Sequence, residues 1–139
     1  QVASGKTRHY EAVKVRYDGE KLDYMDLLVI FWQNIDPYDD TGQFCDKGAQ
    51  YRAAIFARNT DERQAAKASK RALQNADITD KRIVTKIKDA GPFYRAEAYH
   101  QDYYKKNAIR YKFYRYNCGR DARLKAVWGE ADLSKIINR

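Results

Sequence analysis

Apolar and polar positions alternate from His9 to Tyr17, with Val13, Val15 and Tyr17 on one face and Lys14 and Arg16 on the other, before an Asp18-Gly19 turn signal. The pattern predicts a strand. Glu11 shares the parity of Val13 and Val15, so a strand packed on one face would turn a carboxylate toward the apolar side. Beyond the turn the period lengthens. Asp23 and Asp26 read as a cap with an acidic first turn, and Tyr24, Leu27, Leu28, Phe31 and Ile35 follow at helical spacing, which predicts a helix to about Asn34. Asp36 to Gly48, rich in Asp, Gly and Pro, predicts turns and a long loop of the kind that carries function. Tyr51 to Ala57 is apolar on both faces and predicts a central strand.

Thr60 is placed to cap the next helix, with a narrow stripe of Ala65, Ala68, Ala72, Leu73 and Ala76. A strand is expected around Ile83 to Ile87, a break at Gly91-Pro92 and a helix from Ala96 to Lys106. Residues 107–139 read as an aromatic and basic tail, closing in a short helix with Leu124, Val127 and Trp128 on one side. Alternating strands and helices predict a compact two-layer α/β (α+β) domain: a mixed sheet with helices packed on it and a long irregular C-terminal tail. With 139 residues, the whole chain is expected to be one domain.

Composition narrows the function classes. No apolar run reaches the length of a membrane span. Lys and Arg number 27 against 19 Asp and Glu, but they are scattered, which favours a solvated basic surface over a nucleic-acid site. Twelve tyrosines are many for one core, and their crowding between Tyr94 and Tyr116 asks for a second explanation. Two cysteines are too few for a disulfide scaffold, so Cys45 and Cys118 are inert, paired once, or redox-active. A zinc site from His9, His100, Cys45 and Cys118 has no pair at close ligand spacing.

Three segments together go beyond pattern: Ser4-Gly-Lys-Thr-Arg-His-Tyr-Glu-Ala-Val13, Gly42-Gln-Phe-Cys-Asp-Lys-Gly-Ala-Gln-Tyr-Arg52 and Ala96-Glu-Ala-Tyr-His-Gln-Asp-Tyr-Tyr104. In this order the chain resembles the A type of peptide methionine sulfoxide reductase. Phe31-Trp32, Asn34-Ile35-Asp36-Pro37 and Ile83-Val-Thr-Lys-Ile87 extend the resemblance over nearly its whole length. The resemblance implies reduction of methionine S-sulfoxide, free or in proteins, by a cysteine thiolate that attacks the sulfoxide sulfur. A sulfenic acid and then a disulfide would follow, with no bound cofactor and an external thiol reductant, thioredoxin. Protein repair under oxidative stress is the implied role.

The family's nucleophile belongs to a Gly-Cys-Phe-Trp segment near the start of its domain, and that segment is not in this chain. Ile30, not Cys, precedes Phe31-Trp32, so the expectation is a reductase domain shown without its opening segment. The alternatives are an inactive relative that binds oxidised methionine, or a tyrosine-rich module binding nucleic acid through Tyr111, Lys112, Phe113, Tyr114, Arg115 and Tyr116.

By the same resemblance Glu11 is the proton donor, and burial against apolar neighbours would raise its carboxyl pKa in the direction that role requires. Tyr51 would donate to the sulfoxide oxygen and wall the methyl group, Asp46 would hold the loop or a water, and His100 and Tyr103 would line the substrate site from one helical face. Cys118 is the leading candidate for the resolving thiol, with Cys45 its rival because it adjoins Asp46. A cytoplasmic setting is the expectation, with export the alternative.

Overall fold

The computed structural model describes residues 10, 12–76, 78, 81–92 and 108–138. Helix α1 (Tyr24–Gln33) begins in a reciprocal capping box: the Asp26 N–H donates to the Asp23 carboxylate at 2.9 Å, and the Asp23 N–H donates to that of Asp26 at 3.1 Å. The anticipated helix therefore starts and stops where its residues dictate. The Asp-rich stretch after it folds into a small antiparallel hairpin, β1 (Gly42–Gln43) with β2 (Asp46–Lys47), followed by a single 3-10 turn at Ala49–Tyr51.

Strand β3 (Ala54–Ala57) pairs in parallel with β4 (Lys86–Asp89), and α2 (Thr60–Asn75) makes the crossover that a parallel pair needs. The cap of α2 is Asn59, whose side chain accepts from the Glu62 N–H at 2.9 Å. Thr60 is the first helical residue, one position past its expected role. The buried stripe of α2 is Ala66, Ser69 and Leu73, and Ala68 faces solvent. The small residues let α1 come close. Trp32 is fully buried, its indole N–H donates to Ser69 Oγ at 2.9 Å, and Ser69 donates on to the Ala66 carbonyl at 2.7 Å. Helix α2 contacts both β3 and β4 as well as α1.

The mixed α/β class holds, and three expectations change. Residues 12–17 form no strand, and Val13 and Val15 are 87% and 55% exposed. A strand needs a neighbour for its N–H and C=O groups, and among the described residues no strand pairs with this segment. Among the described residues β3 has one partner only, so it is not flanked on both sides, and Tyr51 precedes it in the 3-10 turn. The third change is in the tail. Where described it is helical, with α3 (Ala108–Asn117), α4 (Arg120–Trp128) and α5 (Leu133–Ile137).

Helix formers fill α4, the left-handed Gly129 closes it by donating to the Lys125 carbonyl at 2.7 Å, and Asp132 caps α5. These helices bring Val127, Trp128, Leu133 and Ile137 into the same core as Trp32 and Leu73, and the Trp128 indole N–H donates to the Ile35 carbonyl. The strand expected at 83–87 begins later, at Lys86, although Ile83 and Thr85 are buried. The helix anticipated over 96–106 lies outside the described residues.

Candidate active site

The β1–β2 hairpin carries two of the expected site residues or their neighbours within a few positions. Gly42 makes it possible. A Cβ there would lie 2.1 Å from the Asp46 carbonyl oxygen, so only glycine lets the strands approach. Phe44 and Cys45 form the tip, with Phe44 in the left-handed region at φ 55°. The buried Gln43 amide clasps the Asp36 backbone from both sides, accepting from its N–H and donating to its carbonyl, each at 2.8 Å. The hairpin is thereby tied to the end of α1.

The tail helices then cover it. Arg123 donates through Nε to the buried Asp36 carboxylate at 2.7 Å. Arg120 donates to the Asn34 carbonyl at 3.0 Å and lies 4.1 Å from the centre of the Phe44 ring, a cation–π contact. Cys118, at the junction of α3 and α4, forms a disulfide with Cys45, their Cα atoms 5.2 Å apart. Both cysteines of the sequence are thus paired with each other.

Around this bond the groups are polar and close. The Asp46 carboxylate and the Tyr51 side chain both lie near enough to the Tyr114 hydroxyl to act on it electrostatically. Desolvation, then the Asp46 carboxylate, holds the Tyr114 hydroxyl protonated above the ordinary phenol range. Arg120 is pulled below the usual guanidinium range by burial and by the neighbouring Arg115. Arg115 is itself raised by its hydrogen bond to Asp121, and it also donates to the Tyr111 hydroxyl at 3.2 Å. The tyrosine-rich tail, which sequence composition only flagged, therefore supplies partners for the Asp46 loop.

The structure brings Asp46, Tyr51, Cys45 and Cys118 into one neighbourhood. Glu11, His9, His100 and Tyr103 lie outside the described residues. Tyr10 packs edge-on against Phe56 at 5.3 Å, between the cations of Arg52 and Lys88. Gln43, Arg120 and Arg123 do not stand out in the sequence as site residues, and Tyr114 stands out there only in the nucleic-acid alternative. Their signal was present only as amide, tyrosine and arginine in segments whose contact is set by the fold. A cleft of about 430 Å³ beside the hairpin is lined by Asp36, Tyr38, Asp39, Lys47 and Arg123, whose charges are largely matched within the protein. Among the described residues, no helix is long and apolar enough to cross a membrane.

The domain is mixed α/β, and Asp46, Tyr51 and the Cys45–Cys118 disulfide gather where the hairpin meets the tail helices, features that comparison with known proteins makes specific. The model of the family described as peptide methionine sulfoxide reductase matches residues 1–132. The chain is 45% identical over 130 residues to the peptide methionine sulfoxide reductase MsrA of Bacillus pumilus, covering 94% of this chain and 73% of that protein. It is 48% identical over 132 residues to MsrA 2 of Caulobacter vibrioides, covering 92% and 64%. The crystal structure of reduced Mxr1 from Saccharomyces cerevisiae superposes with a TM-score of 0.72 at 32% identity, covering 77% of this chain and 58% of that one. The chain belongs to the peptide methionine sulfoxide reductase family.

Proposed function

We propose that the protein reduces methionine S-sulfoxide, free or within proteins, to methionine, and that this chain supplies everything but the attacking thiol. The observation that carries the reading is the match of the family model over residues 1–132, which includes the loop that carries Asp46 and Tyr51. In the proposed reaction a cysteine thiolate outside this chain attacks the sulfoxide sulfur and Glu11 gives its proton to the oxygen. Methionine leaves, and the cysteine is left as a sulfenic acid. The Tyr51 hydroxyl donates to the oxygen as charge builds on it, Asp46 holds the loop, and His100 and Tyr103 line the substrate pocket.

The sulfenic acid then condenses with the Cys118 thiol, releasing water and forming a disulfide. Cys45 attacks the Cys118 sulfur of that bond, frees the first thiol and leaves the Cys45–Cys118 disulfide for thioredoxin to reduce. The 5.2 Å separation of their Cα atoms supports this relay. A cytoplasmic setting, where thiols are kept reduced, suits such a cycle.

The test uses the full-length protein with methionine sulfoxide, thioredoxin, thioredoxin reductase and NADPH. Methionine should form with stoichiometric NADPH oxidation. Glu11→Gln should lower kcat by about 100-fold, the usual weight of a general acid, and Cys118→Ser should permit one turnover and then stall. A chain of residues 1–139 alone that turns over methionine sulfoxide with dithiothreitol would overturn the assignment of the nucleophile to a residue outside it.

A further inference from the structure

Residues 34–37, where α1 gives way to the Asp-rich loop, are held from several sides. The Asn34 carbonyl accepts from Arg120, the Ile35 carbonyl from the Trp128 indole, and the Pro37 carbonyl from the Val84 N–H at 2.8 Å. The Asp36 carboxylate accepts from Arg123 and from the Tyr38 N–H at 3.0 Å. Against this corner sits the buried Gln43 amide, a group that the proposed reaction does not use. Its oxygen accepts from the Asp36 N–H at 2.8 Å, and its nitrogen donates to the Asp36 carbonyl at 2.8 Å and to the Gly42 carbonyl at 3.0 Å. The oxygen and both amide hydrogens are thereby used. Gln43 is also the residue directly opposite Asp46 in the β1–β2 ladder. From Asp46, β2 runs through Gly48 into the Ala49–Tyr51 turn, where the Gly48 N–H donates to the Thr41 carbonyl at 2.8 Å and the Tyr51 N–H to the Gly48 carbonyl at 3.1 Å.

We propose that Gln43 is a positioning residue for sulfoxide reduction: its side-chain amide hangs the hairpin that carries Asp46, and the turn that presents Tyr51, from the fixed end of α1. The inference rests on the proposed function of the Asp46 and Tyr51 loop. The Cys45–Cys118 disulfide also ties the hairpin down, but the Cys118 thiol must be free to condense with the sulfenic acid. That tie is therefore open while the sulfoxide is reduced. The Gln43 clasp involves neither cysteine and holds the loop during that step. Without the amide, the N–H and carbonyl of the buried Asp36 lose their partners, and the hairpin shifts as they seek water. Small misplacements of a group that binds the reacting oxygen cost rate steeply.

Gln43→Met keeps the length of the side chain and removes the amide. In the reduced full-length protein without added reductant, the first methionine-forming turnover should slow about tenfold, short of the roughly hundredfold that a displacement of about 1 Å costs. The amount of methionine formed and the far-UV circular dichroism should be unchanged. In steady state with dithiothreitol the fall should appear in kcat, with KM within about twofold. Tyr51→Phe should slow the same step, and Tyr51→Phe with Gln43→Met should be slower than Tyr51→Phe alone by no more than about twofold. A wild-type first-turnover rate in Gln43→Met, with only its urea midpoint lowered, overturns the inference, as does a double variant slowed by the product of the two single effects. Where Gln43→Met does not fold, Gln43→Asn, which keeps an amide one methylene too short to reach Asp36, is judged by the same outcomes. The function itself is judged separately, by whether the unmodified protein forms methionine at all.

Discussion

Gly42 faces the Asp46 carbonyl at a distance that no Cβ tolerates, so the hairpin depends on the absence of a side chain at one position. Gly42→Ala should destabilise the fold by about 3 kcal/mol, an overpacking cost, read as a lower midpoint in urea. An unchanged midpoint would mean that β2 is free to move away. Next to it, Asp39 accepts from the Thr41 N–H at 2.9 Å, from the Thr41 hydroxyl at 2.6 Å and from Lys47. Burial raises its carboxyl pKa, but these donors outweigh it and the value falls from 3.8 to about 2. Because the folded carboxyl titrates below the unfolded one, its contribution is fully present above about pH 4 and is lost as pH falls toward 2. Lys47 is half exposed, so screening reduces that contribution to about 1 kcal/mol. Asp39→Asn should flatten the stability curve by that amount across this window and lower stability at pH 7.

Elements were legible where local chemistry decides them. Asp23 and Asp26 announce α1, and the reciprocal bonds are there. The stretch from Asp36 to Gly48 reads as turns in the sequence, and the loop is built around its aspartates, with Asp36 and Asp39 each accepting from the N–H two residues on. Elements that depend on distant partners were less legible. The alternation of Val13 and Val15 is real, but no neighbouring strand is supplied among the described residues. The tail shows mainly aromatic and basic residues, and its helices are fixed by packing that sequence does not display: Leu133 and Ile137 reach α1 and α2. Leu133→Ala should therefore cost about 3 kcal/mol, measured by thermal unfolding, whereas a loose tail would lose almost nothing. In the candidate site, the loop residues Asp46 and Tyr51 stand out by motif, whereas Tyr114, near enough to feel both electrostatically, is one tyrosine among many in the sequence.

At the scale of the whole molecule, a disulfide between residues 73 positions apart ties the loop after α1 to the junction of the tail helices. Closing so long a loop restricts the unfolded chain by up to about 4 kcal/mol. Reduction should lower unfolding stability by roughly 2–4 kcal/mol while leaving far-UV circular dichroism unchanged at room temperature, because Arg120 and Arg123 still dock α4 on the end of α1 and its following loop. The reading of the molecule as a methionine sulfoxide reductase that cycles its own cysteines makes one outcome decisive. Racemic methionine sulfoxide incubated with the full-length protein and excess dithiothreitol, followed by chromatography of the products, should yield methionine until half of the sulfoxide is consumed, with the R epimer left behind. Failure to form methionine under those conditions would contradict the account.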